Sequence, residues 1–293
     1  MRCLLRALGV ERRSSAPDRL GPRLPGLALL LPAHLTAVDS FHPVVEFANR
    51  LVSVAVTVLS VVALAVTARR TPARRDLTLL GAGLVAGIVA QIVLGGLVVL
   101  FKLNPYLVAL HFLLTIVILA DAIVLYHLSK NPPTSAITVV GRDLVRLARL
   151  QMRTLGVLTI VGTIVTGAGP HAGGVGAKRV PIAFRDIAEA HSTLALFLIG
   201  VTLASQFAFH HANAPETVLR RGRLFLEIMV VQGALGYLQY FLHDSPLVVE
   251  FHLAGVTALW ISGLAFYLSL HRHPDAELEV PSSAASTALA AGT

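Results

Sequence analysis

The sequence predicts an all-α, polytopic membrane protein made of two related helical-bundle halves, and three observations predict it. Of 293 residues, 55% are hydrophobic and only 14% charged, with a mean hydropathy of +0.74; a soluble enzyme is excluded by that balance. Apolar runs of about 20 residues recur seven times, the length that crosses a hydrocarbon core of about 30 Å. A shift of 141 residues places Gln91 on Gln232, Leu94 on Leu235, Gly95 on Gly236, Pro105 on Pro246, His111 on His252 and Tyr126 on Tyr267. Gln, Pro and His are scarce in lipid-facing helices, so their common register marks a duplication.

The apolar runs predict helices over 44–68, 76–101, 106–129, 146–167, 186–209, 218–241 and 247–271. Strands are excluded because barrel strands alternate over roughly ten residues and a lipid-embedded backbone must pair internally. The first half, 44–129, then holds three helices and the second, 146–271, holds four. A cytoplasmic linker, 130–145, joins them, and 272–293 reads as a disordered tail. The unequal count leads us to expect a further helix ahead of residue 44 in the natural protein, eight in all, with 1–43 a misread start. That segment carries six arginines and one apolar patch, Leu24 to Leu35, which Pro25 and Pro32 interrupt and which is too short to span. A secretory signal peptide is the alternative reading, though no clean small-residue cleavage site follows the patch.

The formal charge of +8 falls in blocks between the apolar runs, which reads as membrane topology and not as a nucleic-acid surface. Arg69, Arg70, Arg74 and Arg75, then Lys130, Arg142, Arg146 and Arg149, then Arg220, Arg221 and Arg223 mark the cytoplasmic side. Loops 102–105 and 242–246 carry only Lys102 and lie outside; loop 168–185, with Lys178, Arg179 and Arg185, dissents. The expected location is the bacterial plasma membrane. A single cysteine, Cys3, excludes an internal disulfide, a thiolate metal site and an iron–sulfur cluster.

Ionisable groups inside spans are expensive, which makes them the candidates for function. Asn49, His111, His191 and His252 each fall about five residues inside the outer end of an inward-running helix, in one stratum. A shift of 142 pairs Asn49 with His191, so each half contributes one residue from each of two facing helices. Two imidazoles facing across a four-helix bundle are the usual axial ligands of a haem iron, and His191 with His252 meets that requirement by spacing and level. The plainer alternative is a histidine hydrogen-bonded to the neighbouring helix. Zinc competes poorly, since no HExxH, carboxylate cluster or cysteines accompany the histidines.

Glu46, Asn49 and Arg50 form an E-x-x-N-R turn. The carboxylate there can move protons or polarise a bound oxygen species, and the arginine can pair with a haem propionate; interfacial anchoring explains both equally. The glycine-rich turn from Thr166 to Gly174 bends tightly beside something bulky or is simply flexible, and contains His171. Asp121, Glu227 and Arg153 lie near inner helix ends and are assigned no catalytic role. His210, His211, His271 and His273 read as interfacial.

These residues resemble the haem A synthase family, membrane enzymes that oxidise haem O to haem A for cytochrome oxidases. The resemblance covers roughly 40–271. Its most specific element is T-G-A-G-P-H-A-G, Thr166 to Gly173, followed by His191 heading a helix, with His111 and His252 in the expected places and Glu46 to Arg50 similar to the family's E-x-x-H-R turn. The resemblance implies a haem b cofactor ligated by His191 and His252 in the C-terminal half. It implies a substrate haem site in the N-terminal half lined by Glu46, Asn49, Arg50 and His111, with His171 as an outer-loop haem contact. It also implies successive hydroxylations of a porphyrin methyl group, an electron donor of unstated identity, and haem O synthase as a partner. Asn49 stands where the family pattern has histidine and Gly174 where an aspartate often follows, so bis-histidine ligation of the substrate haem and any role of that carboxylate are in doubt. The first helix, and the cysteine pair many members carry in the outer loop after it, are absent. Two other functions compete: a bis-histidine cytochrome b that only carries electrons, and a transporter, which predicts no haem.

Overall fold

The computed structural model describes residues 37–170, 172, 178–242 and 245–274, with the side chains of residues 37–46, 48 and 246 outside the description. Among these residues are seven helices: α1 (Ala37–Ala68), α2 (Arg75–Leu100), α3 (Pro105–Ser129), α4 (Arg142–Ala168), α5 (Phe184–His211), α6 (Glu216–Phe241) and α7 (Pro246–Ser269). Two strands of two residues each, β1 (Ile137–Thr138) and β2 (His271–Arg272), complete the set. All seven helices are long and apolar enough to cross a membrane, so the protein is the all-α multi-pass membrane protein its hydropathy predicts.

Local chemistry sets the helix ends. Pro105 and Pro246 open α3 and α7, where the missing amide hydrogen costs nothing and the fixed φ suits a helix. Asn104 caps α3 by accepting the Tyr106 amide hydrogen at 3.0 Å. Most expected boundaries lie within a few residues of the observed ones. The larger differences have a common cause, which is that hydropathy sees only the apolar part of a helix. Helix α1 begins at Ala37 instead of 44, and α4 begins at Arg142 instead of 146. The added turn of α4 is polar, with Asp143 placed where the helix dipole favours an acid.

The chain divides into two units between Ser53 and Val54. The described part of the first is the beginning of α1, from Ala37. In the second, α2 packs on α3, α4 on α5 and α6 on α7; α5 also packs on α6 and α7 on α4, which closes α4 to α7 into a four-helix bundle. Helix α3 lies along α4 and α7. The duplication read in the sequence is a structural one, because α6 and α7 begin 141 residues after α2 and α3, Glu216 answering Arg75 and Pro246 answering Pro105.

The core of the bundle is apolar and close-packed. Leu155, Leu198, Val218 and Met229 are buried at its centre. Phe266 stacks on Phe225 with ring centroids 6.1 Å apart and meets the edge of Phe209 at 5.5 Å. Many Val, Leu and Ile side chains on the outer helix faces are exposed, as lipid-facing positions require.

At the end where the arginines collect, the segment linking the halves is tied down. β1 pairs antiparallel with β2, Ile137 opposite Arg272 and Thr138 opposite His271. The Val139 amide donates to the Leu270 carbonyl at 2.9 Å and the Thr134 hydroxyl to the Pro274 carbonyl at 2.7 Å. Strand pairing therefore takes in Arg272 and hydrogen bonding reaches Pro274; 275–293 lie outside the described residues. Arg74 donates to Asp76 at 2.6 and 3.1 Å and to the Asn131 carbonyl at 2.8 Å, joining the α1–α2 turn to the end of α3. The hydrogen bond to the Asp76 carboxylate, above all, raises the Arg74 guanidinium above its ordinary value.

Candidate functional site

His111 and His252 occupy the same place in two copies of one hairpin. Each lies six residues after the proline that opens its helix, 105 to 111 and 246 to 252. In the first copy, the Gln91 amide of α2 donates to the His111 carbonyl at 3.0 Å and to the Thr115 hydroxyl at 2.6 Å. One turn further along α2, the glycine at 95 lets the imidazole lie against the helix: a Cβ there would sit 3.2 Å from His111 Cε1. In the second copy, Gln232 of α6 donates to the His252 carbonyl at 2.8 Å, and a Cβ on Gly236 would again sit 3.2 Å from His252 Cε1. Gln and Gly four residues apart share a helix face. The glutamine fastens the backbone at the histidine, and the glycine leaves room for its ring.

His191 of α5 is held differently. Its ring lies against Gly162 of α4, where a Cβ would come within 3.0 Å of Cε1, 3.6 Å of Nδ1 and 3.8 Å of Nε2. His191 Nδ1 is buried without a hydrogen bond. His191 and His252 stand on two helices, α5 and α7, of the closed four-helix bundle, while His111 sits in the α2–α3 hairpin. In all three histidines Nδ1 is buried and has no hydrogen-bond partner, as do Gln91 Oε1 and Gln232 Oε1. Buried polar atoms are nearly always paired; Gln151 Oε1, Thr202 Oγ1 and Gln206 Nε2, elsewhere in the bundle, are unpaired as well, so what distinguishes the histidines is an unpaired Nδ1 together with a glycine against the ring.

The remaining candidates belong elsewhere. Asn49 and Arg50 lie in the first unit, exposed on α1, and the Asn49 carbonyl accepts the Ser53 hydroxyl at 2.7 Å. Since α1 begins at Ala37, Asn49 is in the fourth turn of its helix and not about five residues from the start, although the apolar span itself starts at Asn49. Glu46 lies on the backbone of α1, with its side chain outside the description; His171 and Gly173 to Gly174 lie outside the described residues. No group of three or more His, Cys, Asp or Glu that could hold a metal ion occurs among the described residues, and His191 and His252 are not part of one. Next to Gly162, an apolar groove of about 290 Å³ runs between the start of α3 and the end of α4, lined by Tyr106, Ala109, Thr163, Ile164 and Ile182 among others.

Reading the sequence missed the partner of His191, since Gly162 has no special spacing to it. It also missed the roles of Gln91 and Gln232, which it used only to mark the repeat. The signal was present, because a glutamine twenty residues before a histidine occurs twice, across the two hairpins that the duplication relates.

Fold and site together define a polytopic α-helical membrane protein whose duplicated hairpins each present a fastened, half-buried imidazole. A family model described as cytochrome oxidase assembly protein matches residues 32–174. The matched stretch is just under half of the chain, and the family it describes is the one to which the haem A synthase resemblance points. Comparison with curated proteins and with solved structures gave no match.

Proposed function

We propose that the protein is a haem A synthase: it oxidises a methyl group of haem O to the formyl group of haem A, in the bacterial plasma membrane. One observation supports this reading beyond the family match: three half-buried imidazoles, each set against a glycine, have buried Nδ1 atoms with no partner. The residues fit a haem. His191 and His252 come from facing helices of the closed bundle, and a side chain at either glycine would displace the ring. In this reading those two histidines hold a haem b iron. A haem b bound there supplies one-electron redox chemistry.

The protein's own groups supply position and protons. Gln232 and Gly236 fix His252, and Gly162 fixes His191. Gln91 and Gly95 fix His111, which holds the substrate iron. Asn49 is by its chemistry a poor iron ligand, and the Arg50 guanidinium is of the kind that pairs with a propionate. Glu46 handles protons or stabilises positive charge developing at the methyl carbon. Each of the two hydroxylations oxidises the carbon by two electrons: one atom of dioxygen enters the C–H bond, the other leaves as water, and a separate donor supplies two electrons that combine with two protons. The methyl group becomes an alcohol and then a hydrated aldehyde, which loses water to give the formyl group, and haem O arrives from a haem O synthase.

The test replaces Glu46 by Gln in cells that also make haem O. The expected result is a protein with haem b and no haem A. Full haem A formation removes Glu46 from the mechanism. In the unaltered protein, haem b without any oxidation of haem O favours a cytochrome b that only carries electrons.

A further inference from the structure

We infer that the arginine-bearing face of α4 is a binding site for the phosphates of anionic phospholipid in the cytoplasmic leaflet. Arg142, Arg146, Arg149 and Arg153 follow one another at steps of four, three and four residues. At 100° per residue their side chains fall within about 60° of arc. All four are exposed, whereas Ala148, Gln151, Leu155 and Leu158, on the opposite side of the helix, are buried. Only Arg146 has an acidic partner, Asp143, at 2.9 Å, and that pair is itself exposed. Arg142, Arg149 and Arg153 make no ion pair or side-chain hydrogen bond among the described residues.

Other arginines at this end are used internally. Arg74 is buried against Asp76 and Asn131, and Arg221 donates to the Ala265 carbonyl at 3.0 Å. A general excess of positive charge on the inner side explains such loops but not a ladder on one helix face. The ladder rises about 16 Å along the helix, more than a headgroup layer is deep. If Ala168 lies at one edge of a core of about 30 Å, the other edge falls about 20 residues earlier, near Arg149. Arg142 and Arg146 then lie among the headgroups, and Arg149 and Arg153 must reach down towards them. Directly above Arg153 the same face continues with exposed Val157 and Ile160 and with Gly156, where a Cβ would meet nothing within 4 Å. Guanidinium below and open apolar surface above match a phosphate with its acyl chains. An acidic protein segment matches only the lower part.

The experiment reconstitutes the full chain in vesicles of phosphatidylcholine mixed with phosphatidylglycerol, extracts it in mild detergent and measures the retained lipids by mass. The unaltered chain should retain phosphatidylglycerol in preference to phosphatidylcholine. That preference should fall roughly fivefold for each guanidinium removed in an R142Q/R149Q/R153Q variant, and should survive in R69Q/R70Q, which removes two exposed arginines elsewhere at this end. No preference in the unaltered chain overturns the inference and leaves an acidic protein segment as the partner; this arm needs no variant to fold. An equal fall in both variants overturns it too, since any inner arginine would then serve.

Discussion

Replacing Gly162 by Ala tests the way the site is held. The new Cβ would lie 3.0 Å from His191 Cε1, where carbon atoms in contact rest about 3.5–4.0 Å apart. The ring or the helix must therefore yield by about 0.5–1 Å. Overpacking of this kind costs about 1–3 kcal/mol, and the better helix propensity of alanine returns up to ~1 kcal/mol, so the net loss of stability is about 0–3 kcal/mol. Haem binding should suffer more clearly, because a ligand constellation tolerates displacements of only about 0.5 Å. Gly156, on the same helix, is the control: a Cβ there meets nothing within 4 Å. The assay is the ratio of haem to protein after purification, read from the absorbance of extracted haem, with a thermal unfolding curve beside it. Gly162→Ala should lose most of its haem, and Gly156→Ala should retain it and unfold at or above the normal temperature. Equal haem content in the two variants would refute the packing of His191 on Gly162 as a determinant of the site.

Other predictions follow from single contacts. Asp76→Asn takes the charge from the partner of an Arg74 side chain that is only 6% exposed; because Asp76 itself is half-exposed, the loss should be about 1–2 kcal/mol, visible as a lowered unfolding temperature that Arg69→Ala does not reproduce. The one tryptophan, Trp260, donates to the Thr159 hydroxyl at 3.0 Å, so Thr159→Val should cost about 1 kcal/mol and change the tryptophan emission, which an unaltered spectrum would contradict. Gln91→Leu and Gln232→Leu each remove an interhelical bond worth roughly 1 kcal/mol. On the proposed division of labour, the first lowers haem A formation while leaving haem b bound, and the second lowers haem b content; the same effect from both would merge the two sites. Ile137→Pro removes a ladder position from the β1–β2 pairing and should expose the 130–141 linker to protease without loss of the helices, measured by digestion and circular dichroism.

What the amino-acid pattern reveals depends on how far apart its determinants lie. The seven helices are visible because each is an uninterrupted apolar run, and the duplication because Gln, Pro and His repeat at one shift. The level of His111 and His252 is visible for the same reason, both counting from a helix-opening proline. The start of α4 is hidden, because an arginine-rich turn looks like a loop to hydropathy while its Asp143 suits a helix terminus. Pairing of Ile137–Thr138 with His271–Arg272 is hidden too, since two-residue strands have no alternation to read and their partners lie over 130 residues apart. The contact of His191 with Gly162 depends on how α4 packs on α5, which no spacing along the chain encodes.

The proposed activity itself meets its most direct test in the haems that the protein carries. The full chain is purified from membranes of cells that also express a haem O synthase, and its extracted haems are identified by mass. Haem b together with haem A, or with the hydroxylated precursor of haem A, is the predicted result. A protein that carries no haem would contradict the assignment of His191 and His252 and the reaction with it.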